Sequence, residues 1–233
     1  MVFSSVYFVL YFLPVFLLVY YLAPQKWKNL SLLVGSSYFY AWGEPTFFFL
    51  IFFSLILDFY LIRMMYYTEG KLKKILFTSV LVLNISMLLV YKYLMFFVYN
   101  LNFVLSSLEI PEISVLIFLP IGISFITFQK ISYAVDVHRG RTEVQHNFIE
   151  YALYILLFPQ LIAGPIIRYH QIKAQITDRS KAENIDNKLL GLFRFIIGLS
   201  KKLLIADPIG LFVNELFAMS PGEVSTPMLW IGI

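Results

Sequence analysis

Two apolar segments of this chain carry polar side chains next to residues that interrupt helices. The residues are Pro120, Gly122, Ser124 and Thr127 in the first segment and Pro159, Gln160, Gly164 and Pro165 in the second. Proline lacks a backbone donor, and glycine readily adopts conformations outside a helix. In a membrane, irregular backbone is tolerated only inside protein or beside a water-filled cavity. We therefore expect the segments between residues 119 and 167 to form a polar-lined passage.

Ser124, Thr127 and Gln160 are the side chains that we expect to orient polar groups in this passage. A structural role is the alternative, because hydroxyl and amide side chains can also satisfy backbone groups that a nearby proline leaves without a partner. The sequence favours neither role, since both use the same residue types at the same positions.

Two charged residues, Asp58 and Lys92, lie inside other apolar segments. A charge at the centre of a bilayer costs about 2.5–3.5 kcal/mol on insertion scales, so each needs a partner or access to water. One solution is an ion pair between Asp58 and Lys92. The favoured alternative is that Lys92 extends to the membrane surface beside Tyr91 and Tyr93.

Three further basic residues, Arg168, Lys201 and Lys202, are candidates to face a phosphate-bearing donor in the cytosol. Lys201 and Lys202 follow Arg194 by seven and eight residues, which places them near one face of a helix. The alternative is an interfacial helix whose lysines meet lipid headgroups. Arg168 has the same two options, and for this residue we favour a structural position at the base of a membrane hairpin.

The composition predicts an all-α polytopic membrane protein with one transmembrane domain over residues 1–233. The chain is 60% hydrophobic and 14% charged, with a mean hydropathy of +0.78. Soluble domains are roughly 45–50% apolar and about 25% charged. A spanning helix needs about 20 apolar residues. Spans are predicted at residues 3–22, 30–42, 47–65, 75–99, 115–137 and 189–218, with a re-entrant hairpin at 148–167.

Charges in the loops predict the orientation of the chain. The basic loops hold Lys26, Lys28, Arg63, Lys71, Lys73 and Lys74, whereas the loops between them hold Glu44, Glu109 and Glu112. By the positive-inside rule, the basic loops are cytoplasmic and the N-terminus lies outside. Basic residues also flank 148–167 on both sides. A re-entrant hairpin keeps both flanks inside, so we favour it over a plain span.

Several kinds of site are excluded or unsupported. The chain has no cysteine, which excludes disulfides, thiolate metal sites and a cysteine acyl-enzyme. His138, His146 and His170 are too scattered to predict a metal site. The net charge of +4 fits cytoplasmic loops of a membrane protein and gives no indication of a nucleic-acid partner.

Three ordered segments resemble the membrane-bound O-acyltransferase superfamily. They are LPIGISFITFQKISYAVDVHRG at 119–140, FPQLIAGPIIRY at 158–169 and GLSKKLLIADP at 198–208. The resemblance covers essentially the whole chain. The branch it resembles contains the integral-membrane subunit of alginate O-acetyltransferase and is related to the D-alanyl transfer protein of lipoteichoic acid.

The resemblance implies a fold and a reaction. The fold would be a bundle of tilted and re-entrant helices, incomplete here at its C-terminus. The reaction would move an acyl group from a cytosolic thioester donor, acetyl-CoA or an acyl carrier, to a hydroxyl of a secreted or cell-surface polysaccharide. The resemblance further implies that the protein lies in the bacterial inner membrane, in contact with membrane lipid. It implies no bound cofactor, and an extracytoplasmic acetyltransferase as the partner protein.

The family's catalytic histidine belongs to a Trp-His-Gly-type segment, and this sequence contains no such segment. No catalytic residue is therefore assigned in this chain, and we expect the 233 residues alone to be inactive. The final residues, PMLWIGI, resemble the start of another membrane helix, which predicts a fragment of a longer protein. Two other functions stay open: a transporter or flippase with broken helices, or an inactive membrane scaffold.

Overall fold

The computed structural model describes residues 4–108, 110–161, 166–180, 182–220 and 224–232. Within these ranges the regular secondary structure is helical. The helices are α1 (Leu13–Leu22), α2 (Gln25–Gly43), α3 (Pro45–Tyr66), α4 (Gly70–Leu88), α5 (Leu94–Ser107), α6 (Ile123–His138), α7 (Phe148–Leu156), α8 (Phe158–Leu161), α9 (Tyr169–Thr177), α10 (Ile185–Lys201), α11 (Asp207–Ala218) and α12 (Thr226–Gly232). The predicted all-α class is confirmed.

Three short π-helical turns adjoin these helices. They are Phe8–Phe12 before α1, Leu89–Tyr93 between α4 and α5, and Lys202–Ala206 between α10 and α11. Each turn continues the helix without a break in the backbone, so α4 and α5 form one helix of 38 residues. Turns of this kind insert an extra residue into a helix and are frequent at functional sites.

Two compact units make up the chain. The central unit contains Val15–Asp178, and the terminal unit contains Val2–Pro14 together with Arg179–Ile233. In the central unit, α3 packs against α2, α4, α6 and α7, and α4 also packs against α6. In the terminal unit, α10 and α11 meet at their shared π turn, and α12 packs on α11. The prediction of one transmembrane domain stays a prediction.

Two helices of the described residues are long and apolar enough to cross a membrane. They are Pro45–Tyr66, which is α3, and Gly70–Ser107, which is α4 with α5. Pro45 occupies the first turn of α3, where its missing N–H costs no helical hydrogen bond. The long apolar run that follows, in which Asp58 is a single acidic residue, is typical of a membrane helix. These helices fit a helical membrane protein.

Helix α7 lies at the centre of the central unit, and its residues Tyr151–Leu156 are all buried. The Asn147 side chain caps it by accepting a hydrogen bond from the Ile149 N–H at 3.0 Å. With nine residues, α7 is about 14 Å long, less than half the thickness of the hydrocarbon core. The described part of 148–167 is thus no continuous spanning helix, and its re-entrant path stays a prediction.

Two other segments differ from their predicted helices. The segment predicted at 115–137 becomes helical only at Ile123, because Pro120 lacks an N–H and Gly122 has a φ of 74°. The segment predicted at 189–218 starts earlier than predicted and is continuously helical from Ile185 to Ala218. Pro208 is tolerated because it lies in the first turn of α11, directly after a π turn.

Candidate functional site

The two interrupted segments meet at Gly122 and Leu161. Gly122 precedes α6 and has a φ of 74°, a left-handed conformation that glycine adopts without strain. A Cβ atom at this position would lie 2.8 Å from the Leu161 carbonyl oxygen at the end of α8. Only glycine permits this approach. We call the contact the Gly122–Leu161 junction.

Gln160 completes the backbone hydrogen bonding where α7 is interrupted. In a continuous helix the Tyr154 carbonyl would accept from the Phe158 N–H. Here the Phe158 N–H donates to Ser36 Oγ at 3.2 Å, and the Gln160 side-chain amide donates to the Tyr154 carbonyl instead. Gln160 Oε1 is buried and has no hydrogen-bond partner among the described residues. The side-chain N–H of Gln160 therefore has a structural role at the end of α7.

The other residues predicted for the passage are placed as follows. Pro120 and Thr127 are buried, Ser124 is half-buried, and Pro159 is exposed, whereas Gly164 and Pro165 lie outside the described residues. Thr127 and Ser124 belong to α6, on the C-terminal side of the junction. The structure brings the two segments together, and the roles of these side chains in a passage stay predictions.

The three candidate donor-side residues have different surroundings. Arg168 is exposed directly before α9, and its backbone N–H donates to Gln171 Oε1 at 3.1 Å. Lys201 is exposed at the end of α10. Lys202 Nζ lies 2.6 Å from Asp207 Oδ1, so its charge is already compensated within the terminal unit. Their contact with a donor stays a prediction.

Asp58 pairs with Lys130 of α6, so the less favoured alternative, an ion pair between Asp58 and Lys92, is wrong. Lys130 Nζ lies 2.8 Å from Asp58 Oδ2, and each side chain is only 2% exposed. Lys92 is instead exposed, with Nζ 5.4 Å from the centre of the Tyr93 ring. The sequence carried a signal for Lys130, since a lysine in the middle of an apolar helix needs a partner just as Lys92 does.

Two polar side chains complete the surroundings of this ion pair. Asn84 Nδ2 donates to both carboxylate oxygens of Asp58 at 3.1 and 3.0 Å, and Lys130 Nζ donates to Ser54 Oγ at 3.0 Å. We call Ser54, Asp58, Asn84 and Lys130 the charged cluster. It joins α3, α4 and α6, and α6 begins at the Gly122–Leu161 junction. The cluster therefore fixes the helix that carries one half of the junction.

A cleft between α3 and α4 leads to the charged cluster. It has a volume of about 270 Å³ and ends at Ser54, Asp58, Asn84 and Lys130. Its walls are apolar and include Leu50, Phe53, Leu57, Leu83, Met87 and Val90. Val90 and Tyr91, which also line the cleft, belong to the π turn between α4 and α5.

Gln145 organises the polar loop between α6 and α7. Its Oε1 accepts from the backbone N–H groups of His146 and Asn147 at 2.7 and 3.0 Å. Its Nε2 donates to Glu150 Oε2 at 2.7 Å and to Tyr169 Oη at 2.8 Å. Burial raises the pKa of Tyr169 to about 12, so this phenol stays neutral at physiological pH. One side chain thus connects the loop to α7 and α9.

Charged side chains surround the same loop. His170 Nδ1 lies 3.6 Å from Asp136 Oδ2, and Arg141 Nη1 lies 3.8 Å from Asp136 Oδ1. Lys173 Nζ lies 3.0 Å from Glu143 Oε2, and this hydrogen-bonded ammonium lowers the pKa of Glu143. The pair is exposed, so its stabilising effect is small and screened by salt. Among the residues that the structure describes, no cluster of His, Asp and Glu could hold a metal ion.

Replacing Gln145 by Leu is expected to speed hydrogen exchange at the His146 and Asn147 amides by about two- to tenfold. Both amides lose their acceptor, and each lost hydrogen bond costs about 0.5–1.5 kcal/mol. Hydrogen exchange of the loop, followed by mass spectrometry, measures this change. Gln171→Leu is the matched control, because among the described residues the Gln171 side chain accepts from the Arg168 amide at the start of α9 and from no amide of the 139–147 loop. Unchanged exchange at 146 and 147 in Gln145→Leu would contradict the role of Gln145.

Comparison with known proteins decides the family. The chain is 38% identical to a Pseudomonas aeruginosa protein named "Probable alginate O-acetylase AlgI", over 100% of the chain and 44% of that protein. Over its whole length the chain is a homologue of alginate O-acetylases, which fits a fragment of a membrane-bound O-acyltransferase. The predicted resemblance is confirmed, and the two spanning-length helices agree with it.

Two other relatives of this acyltransferase homologue act on different acceptors according to their names. A peptidoglycan O-acetyltransferase from Helicobacter pylori is 32% identical over 89% of the chain and 45% of its own length. A teichoic acid D-alanyltransferase from Bacillus subtilis is 29% identical over 43% of the chain and 25% of its own length. No family model matches the chain, and no solved structure matches it. The chain spans less than half the length of these relatives.

Proposed function

We propose that the protein containing this chain is a membrane O-acyltransferase that modifies a secreted or cell-surface polysaccharide. The observation that carries this proposal is the 38% identity to an alginate O-acetylase over the whole chain. Relatives named for O-acetylation of peptidoglycan and D-alanylation of teichoic acid support the same reaction class, transfer of an acyl group to a cell-envelope polymer. Alginate is the acceptor that the first relative's name suggests.

The proposed topology follows the charge distribution of the loops. The protein is a multi-pass protein of the bacterial inner membrane, with the N-terminus outside. The thioester donor, acetyl-CoA or an acyl carrier, approaches from the cytosol, where Arg168, Lys201 and Lys202 are the candidate phosphate contacts. The polysaccharide acceptor and an extracytoplasmic acetyltransferase partner meet the acyl group on the other side.

The residues of this chain supply the frame of the proposed site. A hydroxyl is a weak nucleophile and needs a general base. Neither His138 nor His170 lies in a Trp-His-Gly-type segment, so we assign the base to neither. We propose that it comes from outside these 233 residues. The Gly122–Leu161 junction and the Gln160 oxygen, which has no hydrogen-bond partner among the described residues, then border the path of the acyl group.

Acyl transfer across a bilayer tests the proposal. The full-length protein is placed in vesicles with labelled acyl thioester on its cytoplasmic side and the polysaccharide on the opposite side, together with the partner. We expect label to appear in base-labile esters on the polysaccharide only when the donor is present. Replacement of the histidine in the expected Trp-His-Gly-type segment should abolish it. Full activity of that variant, or polymer transport that needs no donor, would contradict the proposed reaction.

A further inference from the structure

The α3–α4 cleft combines apolar walls with a polar end, and its walls are open on the outer surface of the two helices. Phe53, Leu57, Leu83 and Val90 are exposed wall residues. At the other end, Asp58, Asn84 and Lys130 are nearly fully buried. On membrane helices, exposed apolar side chains face lipid tails. An occupant of the cleft therefore enters from the hydrocarbon region and needs an apolar body.

The hydrogen bonds of the charged cluster are incomplete. Both bonds from Asn84 Nδ2 to Asp58 leave Asn84 Oδ1 as a buried acceptor with no partner among the described residues. A lysine ammonium has three N–H donors, and the contacts of Lys130 to Asp58 and Ser54 use two of them. A buried polar atom without a partner costs about 1–3 kcal/mol. A group that both donates and accepts would satisfy the two sites together.

The charged cluster has no net charge, so its polar end favours an uncharged group as ligand. Asp58 and Lys130 balance each other, so a phosphate or carboxylate at the end of the cleft would add a buried charge without a counter-ion. A hydroxyl donates one hydrogen bond and accepts others without carrying charge. The flexible Met87 side chain in the wall allows the cleft to adjust to its occupant.

We propose that the α3–α4 cleft binds a neutral membrane lipid through a hydroxyl group. The hydroxyl donates to Asn84 Oδ1 and accepts from Lys130 Nζ, and the hydrocarbon lies along Leu57, Leu83 and Val90. The π turn at Leu89–Tyr93 shapes the outer part of the cleft by placing Val90 and Tyr91 in its wall.

Photolabelling in nanodiscs tests this binding site directly. The probe is a long-chain primary alcohol with a diazirine in its alkyl chain, and labelled peptides are identified by mass spectrometry. We expect label on α3 and α4 around the cleft. The unlabelled alcohol should displace the probe about tenfold better than its methyl ether, since the ether cannot donate to Asn84. Equal displacement by the ether would show hydrocarbon binding only and overturn the proposal.

Two variants locate the site without disturbing the ion pair. Leu57→Trp fills the cleft from its exposed wall, and we expect it to remove the label while unfolding at the same detergent concentration as the wild type. Ser86→Ala is the control, because the Ser86 hydroxyl lines the cleft but bonds to the Leu83 carbonyl of its own helix. Label that persists in Leu57→Trp, or label absent from both helices in the wild type, would contradict the site. Acyl transfer is not the readout, so this test is independent of the proposed reaction.

Discussion

Replacing Lys130 by Met is expected to lower the unfolding free energy by about 3–5 kcal/mol. The substitution keeps an unbranched side chain of similar length but leaves Asp58 charged and without its counter-ion. Asn84 cannot replace the ammonium, because an amide carries no net charge. Removing one partner of a buried pair therefore costs far more than the pair itself contributes. Detergent-induced unfolding of the protein in mixed micelles, followed by tryptophan fluorescence, measures the loss.

Lys92→Met is the matched control for this prediction. It makes the same substitution in another membrane helix, but Lys92 is exposed and has no carboxylate partner among the described residues. We expect a change within about 0.5 kcal/mol, the usual range for surface substitutions. The double variant Asp58→Asn with Lys130→Met removes both charges and should regain more than half of the loss. Equal effects of Lys92→Met and Lys130→Met would refute the role of the charged cluster.

The second large effect is expected for Gly122→Ala. An alanine at a φ of 74° costs roughly 1–2 kcal/mol in backbone strain. Its Cβ would also lie 2.8 Å from the Leu161 carbonyl oxygen, and overpacking against backbone typically costs a further 1–3 kcal/mol. Because backbone cannot move aside as a side chain does, we expect the junction to open. Unfolding and hydrogen exchange at Gln160 and Leu161 report this change.

Gly140→Ala separates strain from contact at this junction. Gly140 has a φ of 69°, nearly that of Gly122, but a Cβ atom added to it would have no neighbouring atom within 4 Å. Gly140→Ala should lower the unfolding free energy only by the cost of backbone strain, and it should leave hydrogen exchange at Gln160 and Leu161 unchanged. The difference between the two variants then measures the close approach alone. Similar losses in both, with protected amides in α8, would show that the junction is not tightly packed.

The local interruptions of the chain were predictable because their causes are local. Pro120 lacks a backbone N–H donor whatever its surroundings, and Gly122 adopts a φ that other residues avoid. These two residues therefore determine where α6 starts. The start of α3 at Pro45 follows from the same rule. Backbone chemistry of this kind depends on a few neighbouring residues and needs no knowledge of tertiary packing.

The partners of buried polar groups were not predictable from one sequence. The sequence shows that Asp58 needs a positively charged partner. Lys92 lies 34 residues away and Lys130 lies 72 residues away, and by charge and membrane position either lysine could be that partner. Only the packing of α6 beside α3 decides between them. Gln145 was missed for the same reason, since its four hydrogen bonds join segments that a pattern search treats separately.

The continuous helix Gly70–Ser107 creates a mismatch with the thickness of a bilayer. Lys71, Lys73 and Lys74 at its start belong to a basic loop, so the apolar part to compare with the bilayer is the predicted span 75–99. At 1.5 Å per residue this span extends about 37 Å, against about 30 Å of hydrocarbon. Tilting, bending at the π turn or local thickening of the membrane are the ways to absorb the excess. The aromatic residues after the turn, among them Phe96, Phe97 and Tyr99, suit the headgroup region, where rings of this kind concentrate. A helix of this length makes the protein responsive to lipid chain length.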